Sequence, residues 1–187
     1  MREKMTARDI AYVGLGAALI AVCAWISIPL PQPLVPFTLQ TFGVCLICAV
    51  LGVRLGLWTV AVYLLLGAVG VPVFSGFRGG VGVLLGTTGG YLVGFLFTAL
   101  CVGLAAERFG RRLPVLLAAM AAGILICYAF GTAWFVVVYT RKSGPIGVMT
   151  ALSWCVFPYL LPDAVKLILA AALSKRLYNL TGRVKTA

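Results

Sequence analysis

The sequence places one acid and one base inside an otherwise apolar stretch near its C-terminal end. Asp163 and Lys166 are three residues apart, so on a helix they share one face. A charged residue in a membrane helix costs at least about 2.5–3.5 kcal/mol, and such residues usually line a cavity or neutralise each other. The pair offers an acceptor for N–H groups beside a cation for an oxygen or a carboxylate. The alternative is a salt bridge that only stabilises the helix. Burying a charged pair costs more desolvation free energy than burying two leucines, so the pair favours a ligand site.

A glycine-rich segment, residues 75–90, is the second candidate site. Glycines allow a backbone to approach a ligand closely. Arg78 and Gly79 lie near its start, and Thr88 and Tyr91 near its end, so we predict substrate contacts from these four residues. An ordinary flexible loop is the alternative. The chain contains no Gly-Lys-Ser/Thr phosphate loop, so it has no such route to ATP.

Two further short motifs hold candidate contact residues. Gln40 lies in the run Phe-Thr-Leu-Gln-Thr, where its amide could meet a ligand or form a hydrogen bond between helices, and both interpretations stay open. Gly14 and Ala18 are four residues apart and give the first helix a face of small residues. Such a face lets another helix approach closely, either within the chain or from a partner subunit.

The same inventory argues against catalysis and metal binding. The chain has no histidine and only four acidic residues, so neither a Ser-His-Asp set nor paired carboxylates are available. Cys45 and Cys48 form a Cys-x-x-Cys, but there is no second pair and no histidine, so buried packing is the better interpretation. We therefore predict a binding protein that is not an enzyme and requires no metal or cofactor.

Membrane-spanning helices must position these residues. The chain has 187 residues, of which 63% are hydrophobic and 10% charged. A soluble domain averages about 45–50% apolar and about 25% charged residues. Charged residues are absent from four long stretches, 10–53, 55–77, 79–106 and 113–140. The net charge of +11 comes from basic residues placed between apolar runs, which indicates orientation in a bilayer and not nucleic-acid binding.

The apolar runs predict an all-α integral membrane protein with six transmembrane helices in a single domain covering residues 1–187. The predicted spans are 10–28, 38–53, 55–71, 89–106, 113–139 and 162–177, with a proline-rich loop at 29–37 and a short element at 146–157. One straight helix over 144–173 would be about 45 Å long, against a hydrocarbon core of roughly 30 Å. We place Pro162 in the first turn of the last helix, with Asp163 beside the positive end of its dipole.

The basic residues predict that both termini are cytoplasmic. With six spans, the outer side receives only Arg78, Arg141 and Lys142. The inner side receives the larger set, which is Arg2, Lys4, Arg8, Arg54, Arg108, Arg111, Arg112, Lys175, Arg176, Arg183 and Lys185. Lys and Arg concentrate on the cytoplasmic side of membrane proteins.

Three separated motifs resemble those of the BioY family. They are IPLPQPLVPFTLQT at 28–41, LLLGAVGVPVFSGFRGGVGVLLGTTGGYLVG at 64–94, and PYLLPDAVKLILAAAL at 158–173. Members are the biotin-specific substrate-binding (S) components of energy-coupling-factor (ECF) transporters. The resemblance implies high-affinity biotin capture in a bacterial plasma membrane. It also implies a transmembrane scaffold subunit, docked on Gly14 and Ala18, and two cytoplasmic ATPase subunits.

Biotin also fits the residues. We expect Asp163 to accept from the ureido N–H groups, and Lys166 to donate to the ureido oxygen or to balance Asp163. Arg78 is our candidate for the tail carboxylate. Two alternatives are an S component for another vitamin and a stand-alone secondary biotin carrier that uses the Asp163–Lys166 pair as a proton relay.

Overall fold

Helices form almost all of the described structure. The computed structural model describes residues 5–31 and 34–185, with side chains as far as residue 179. Arg2 and Lys4 of the orientation count, and Gln32 and Pro33 of the first motif, lie outside the described residues. The elements in this part of the chain are α1 (Ala7–Trp25), β1 (Ser27–Ile28), β2 (Phe37–Thr38), α2 (Gln40–Val69), α3 (Val81–Leu84), α4 (Gly89–Arg108), α5 (Leu113–Ser143), α6 (Val148–Cys155) and α7 (Phe157–Lys185).

The outer faces of the long helices are apolar. Five helical stretches are long and apolar enough to cross a membrane, namely α1, α2, α4, α5 and Val148–Asn179. Their outward side chains include Leu65, Leu125 and Leu169, which are 61%, 61% and 57% exposed. Contiguous apolar surface of this kind is costly in water and favourable in lipid. The chain is therefore a multi-pass membrane protein, as its composition predicts.

Helix α2 folds back on itself at Gly52. The Gly52 backbone has φ 82° and ψ −175°, a conformation that is open essentially only to glycine. A β-carbon at Gly56 would lie 3.2 Å from the Cys48 α-carbon, whereas eight residues of straight helix span about 12 Å. The two arms, 40–51 and 53–69, are therefore antiparallel. This arrangement confirms the two separate helices predicted on either side of residue 54.

Side chains from the last turn of α4 and from the α4–α5 connection cap both arms at this break. The Glu107 carboxylate accepts a hydrogen bond of 2.8 Å from the Val53 backbone N–H, at the start of the second arm. The Arg111 guanidinium donates to the carbonyls of Ala49 and Val50, at the end of the first arm. These contacts satisfy backbone groups that a broken helix would otherwise leave unpaired.

Helix α4 packs against both α2 and α5 through small residues. A β-carbon at Gly103 would lie 2.4 Å from the Val53 α-carbon, and one at Gly94 would lie 2.7 Å from the Cys127 sulfur. Such contacts require glycine and bring the helix backbones close together, as is common between membrane helices. The closely packed α2, α4 and α5 form the walls of the site described below.

Several helix ends differ from those predicted, and two of them lie next to the site. Helix α1 ends at Trp25, and the chain then forms an antiparallel ribbon in which Ser27 pairs with Thr38. Helix α7 begins at Phe157, so the prediction that Pro162 opens the last helix is wrong, and Asp163 lies about two turns inside. Pro158 occupies the first turn instead, where a missing N–H leaves no hydrogen bond unmade.

Candidate functional site

A cavity of about 500 Å³ lies between the first arm of α2, the glycine-rich segment, α4, α5 and α7. Small-molecule sites typically enclose about 300–1,000 Å³. Six of the seven predicted contact residues line it, namely Gln40, Arg78, Thr88, Tyr91, Asp163 and Lys166. The sequence-based site prediction therefore identifies residues that the fold does bring together.

Asp163 is the centre of a buried polar cluster. Its side chain, on α7, lines the cavity although the residue is only 5% exposed. One carboxylate oxygen, Oδ1, accepts hydrogen bonds from Thr41 Oγ1 at 3.2 Å and from Lys166 Nζ at 2.7 Å. The other, Oδ2, accepts a short hydrogen bond from the Tyr128 hydroxyl of α5. Three elements, α2, α5 and α7, thus converge on one carboxylate.

Lys166 is equally buried and is held from two further directions. Its ammonium donates to the Thr38 carbonyl at 2.6 Å, in addition to Asp163. The same nitrogen lies 3.9 Å from the centroid of the Phe37 ring, at a distance typical of a cation–π interaction. The β1–β2 ribbon, which supplies Phe37 and Thr38, therefore fixes this lysine against the acid.

The cluster retains unused hydrogen-bonding capacity. An ammonium has three donors, and Lys166 uses two of them. A carboxylate has about four acceptor positions, and Asp163 uses three, so Oδ2 can accept one more bond. By this count the pair, which has no net charge, can offer a ligand one acceptor position and at most one N–H donor, because the Phe37 ring also contacts the ammonium.

Gln40 connects the two arms of α2 and, through Tyr63, the residues just before the glycine-rich segment. Its amide nitrogen donates to the Tyr63 hydroxyl at 2.6 Å, and Tyr63 in turn donates to the Val73 carbonyl at 3.1 Å. The Gln40 amide oxygen accepts from Thr38 Oγ1 at 3.1 Å. Gln40 lines the cavity, and its bond to Tyr63 joins the two arms of α2, so the hydrogen bond between helices is present and the ligand contact stays a prediction.

The glycine-rich segment folds into a small hairpin and a short helix. Phe74 and Arg78 exchange backbone hydrogen bonds, and Phe77 between them has φ 56°, which is unusual for a bulky residue. The exposed Arg78 side chain lines the mouth of the cavity. Gly79 does not line the cavity. A β-carbon there would lie 2.5 Å from the Val71 carbonyl oxygen, so Gly79 allows the segment to pack against itself.

Two tryptophans hold this segment from outside the cavity. Trp25, at the end of α1, donates its indole N–H to the Pro72 carbonyl at 2.8 Å and stacks on Phe77 with the ring centroids 5.2 Å apart. Trp134 of α5 donates to the Gly86 carbonyl at 2.9 Å. Neither indole lines the cavity, so both position the loop and do not cover a ligand.

Sequence reasoning missed several aromatic contributors to the site. Tyr128 of α5 binds Asp163 directly, and Tyr159 of α7 lines the cavity while its hydroxyl donates to the Val35 carbonyl. The available signal was a tyrosine in the middle of an apolar span, far from the interfaces where tyrosine normally anchors a helix. The pairing of Tyr128 with Asp163 joins residues 35 positions apart and is visible only in the fold.

Helix α1 separates its small residues into two faces. Ala17 and Ala21 are buried against the rest of the protein. Gly14 and Ala18 are exposed, and a β-carbon at Gly14 would meet nothing within 4 Å. Among the residues that the structure describes, none packs closely on the Gly14–Ala18 face.

Metal coordination finds no support in the described part of the chain. No group of three or more Cys, Asp or Glu side chains lies close enough there to hold an ion. Cys45 and Cys48 are free and fully buried among apolar neighbours, as expected for packing residues.

Comparisons with known proteins identify the family of the chain. The sequence profile of the BioY family matches residues 1–183. A biotin transporter BioY of Thermotoga maritima is 44% identical over 92% of this chain and 97% of its own length. A probable biotin transporter BioY of Pyrococcus horikoshii is 36% identical over 95% of this chain and 100% of its own length.

The fold comparison gives the same answer. A crystal structure described as the S-component for biotin from an ECF-type ABC transporter superposes with a TM-score of 0.82. It is 26% identical, and the match covers 94% of this chain and 95% of that one. These similarities confirm the family that the three motifs predict. The names of the relatives and of the matching structure describe transporters and not enzymes. Because the profile match and the T. maritima relative each extend over nearly the whole sequence, the chain belongs to the BioY family.

Proposed function

We propose that this protein captures biotin with high affinity, as the S component of an ECF-type transporter. The observation that carries the proposal is the buried Asp163–Lys166 pair, which faces a cavity of about 500 Å³ with one acceptor position and at most one donor still free. The names of the relatives and of the matching crystal structure support the same ligand.

The ureido ring of biotin is complementary to this pair. It presents N–H donors on both sides of a carbonyl oxygen. Asp163 Oδ2 has an acceptor position for an N–H group, and Lys166 has an N–H for the carbonyl oxygen. Hydrogen bonds to charged groups contribute about 1.5–3 kcal/mol each, so two of them account for a large share of tight binding. Tyr91 and Thr88, also at the cavity, contact the rest of the ligand.

The proposed topology has six transmembrane segments and both termini in the cytoplasm, in the bacterial plasma membrane. The reversal at Gly52 turns α2 into two antiparallel arms and supports six crossings instead of five. An even number places both chain ends on the same side, where the basic residues concentrate. The first arm, 40–51, is short, at about 18 Å of helix.

The proposed partners are a transmembrane scaffold subunit and two cytoplasmic ATPases. The sequence has no phosphate loop, so another subunit must hydrolyse ATP. The exposed Gly14–Ala18 face of α1 suits close contact with a helix of the scaffold.

Titration of the purified protein with biotin and with a panel of other vitamins tests the ligand. We expect tight, selective binding of biotin, and a roughly 10- to 100-fold loss in Asp163→Asn, since a neutral amide replaces a charged acceptor. Asp9→Asn is the matched control, because Asp9 is a half-buried acid at the start of α1 that does not line the cavity. Preference for another vitamin, or unchanged biotin affinity in Asp163→Asn, would contradict the proposal.

A further inference from the structure

The cavity carries an excess of positive charge at its mouth. Its lining contains one acidic and three basic side chains, Asp163, Lys166, Arg78 and Lys142, so its formal net charge is +2. Asp163 and Lys166 neutralise each other at 2.7 Å in the buried part. Arg78 and Lys142 account for the excess, and both are exposed. The site is therefore neutral where it is deep and cationic where it opens.

Lys142 reaches the cavity because α5 continues beyond its apolar region. The helix runs to Ser143, so its last turn carries Arg141 and Lys142 as helical residues. Helical side chains lean toward the N-terminus, which directs Lys142 back along α5 toward Tyr128. Tyr128 and Lys142 are separated by about 21 Å of helix axis, leaving room for an elongated ligand between the buried cluster and the mouth.

No acidic side chain among the described residues neutralises either mouth cation. In the part of the chain that the structure describes, the ion pair found at the cavity is Asp163–Lys166, and neither Arg78 nor Lys142 contacts an acid. Asp9 lies in the capping box of α1, and Glu107 caps the Gly52 break. Two unpaired cations beside a low-dielectric cavity favour an anionic ligand group.

We propose that Lys142 and Arg78 together bind the carboxylate end of the ligand and make the site selective for the free acid. This inference rests on the proposed function and extends it to the form of biotin that is recognised. The neutral ureido end enters first, toward Asp163, and the carboxylate stays at the mouth between two cations from different elements. Neutral derivatives modified at the carboxylate lose this interaction and bind more weakly.

Binding of biotin and of biotinamide, its neutral primary amide, by the purified full chain tests the inference. Lys142→Gln and Arg78→Gln should each weaken biotin binding about three- to tenfold, as expected for a partly exposed charge pair, and leave biotinamide binding unchanged. Arg141→Gln is the matched control. It removes the same charge from the same helical turn, but Arg141 does not line the cavity, so neither ligand should be affected.

Ionic strength gives a second measurement. Mouth charges are screened by salt, so biotin affinity should fall between low and high salt while biotinamide affinity stays constant. Equal losses for both ligands in Lys142→Gln, or equal effects of Arg141→Gln and Lys142→Gln, would overturn the role of Lys142. If the wild type binds biotin and biotinamide equally well, this inference fails and biotin capture stands. If it binds neither, the proposed function itself fails.

Discussion

Removing Lys166 should destabilise the protein more than removing the charge of its partner, and removing both should restore much of the loss. Lys166→Met deletes the ammonium that lies 2.7 Å from Asp163 Oδ1. The buried carboxylate then keeps only the hydroxyls of Thr41 and Tyr128. Breaking a buried ion pair from one side typically costs about 3–5 kcal/mol, because the remaining charge has lost its compensation.

The reverse change leaves a better-compensated charge. In Asp163→Asn the ammonium retains the Thr38 carbonyl at 2.6 Å and the Phe37 ring at 3.9 Å. We therefore expect a smaller loss, on the order of 1–3 kcal/mol. The double variant Asp163→Asn/Lys166→Met buries no charge and should lie close to wild type, since neutral replacements of buried pairs are often tolerated. The expected coupling energy is about 2 kcal/mol or more.

Thermal unfolding of the ligand-free protein in detergent measures this cycle. A loss of 1 kcal/mol lowers Tm by about 2–4 °C in a chain of this size, so Lys166→Met should unfold roughly 6–20 °C earlier than wild type. The double variant should recover most of that shift while failing to bind biotin tightly, which separates stability from recognition. Strictly additive Tm shifts would refute the reasoning, because they would show that the two charges do not compensate each other.

Two other predictions concern the scaffold of the site. Gly52→Ala should cost about 3 kcal/mol, because the residue has φ 82° and a β-carbon would lie 2.3 Å from Glu107 Oε1. Gly14→Ala, in the interior of α1 with open space around it, should leave the stability unchanged or raise it by up to about 1 kcal/mol. Equal Tm values for Gly52→Ala and the wild type would contradict the hairpin geometry. Gly14→Leu should leave biotin binding by the isolated chain unchanged, but it should reduce biotin uptake by cells that contain the complete transporter. Unchanged uptake would exclude the Gly14–Ala18 face as the docking surface.

The sequence predicts most of the helices because each element has a local signal. Apolar runs between charged residues define the spans, and Gly52 beside Arg54 marks the break in α2. Asp163 and Lys166 are predicted from the free-energy cost of placing charges in a membrane helix. Charged residues at such positions usually have a function. The start of α7 was missed because Pro158 and Pro162 are both acceptable near a helix N-terminus, and local rules do not choose between them.

The rest of the site depends on contacts between distant parts of the chain. Tyr128 meets Asp163, Trp25 meets Pro72, and Glu107 meets Val53, and none of these pairs has a shared sequence signature. Lys142 was counted only as an outer-side charge in the sequence. Its role emerges because α5 stays helical to Ser143, which a hydropathy pattern does not predict for a turn that contains Arg141 and Lys142.

The charge arrangement explains how one cavity can combine a costly buried pair with easy ligand access. A single buried charge would carry a large uncompensated desolvation cost, whereas a neutralised pair presents a donor and an acceptor at no net charge. Placing the uncompensated cations at the exposed mouth keeps their own desolvation cost low. It also makes entry directional, because an anionic tail gains nothing by descending past Arg78 and Lys142 toward the carboxylate of Asp163. The neutral pair deep in the cavity and the cations at its mouth would therefore favour the same orientation of the ligand, because only the mouth attracts an anionic tail.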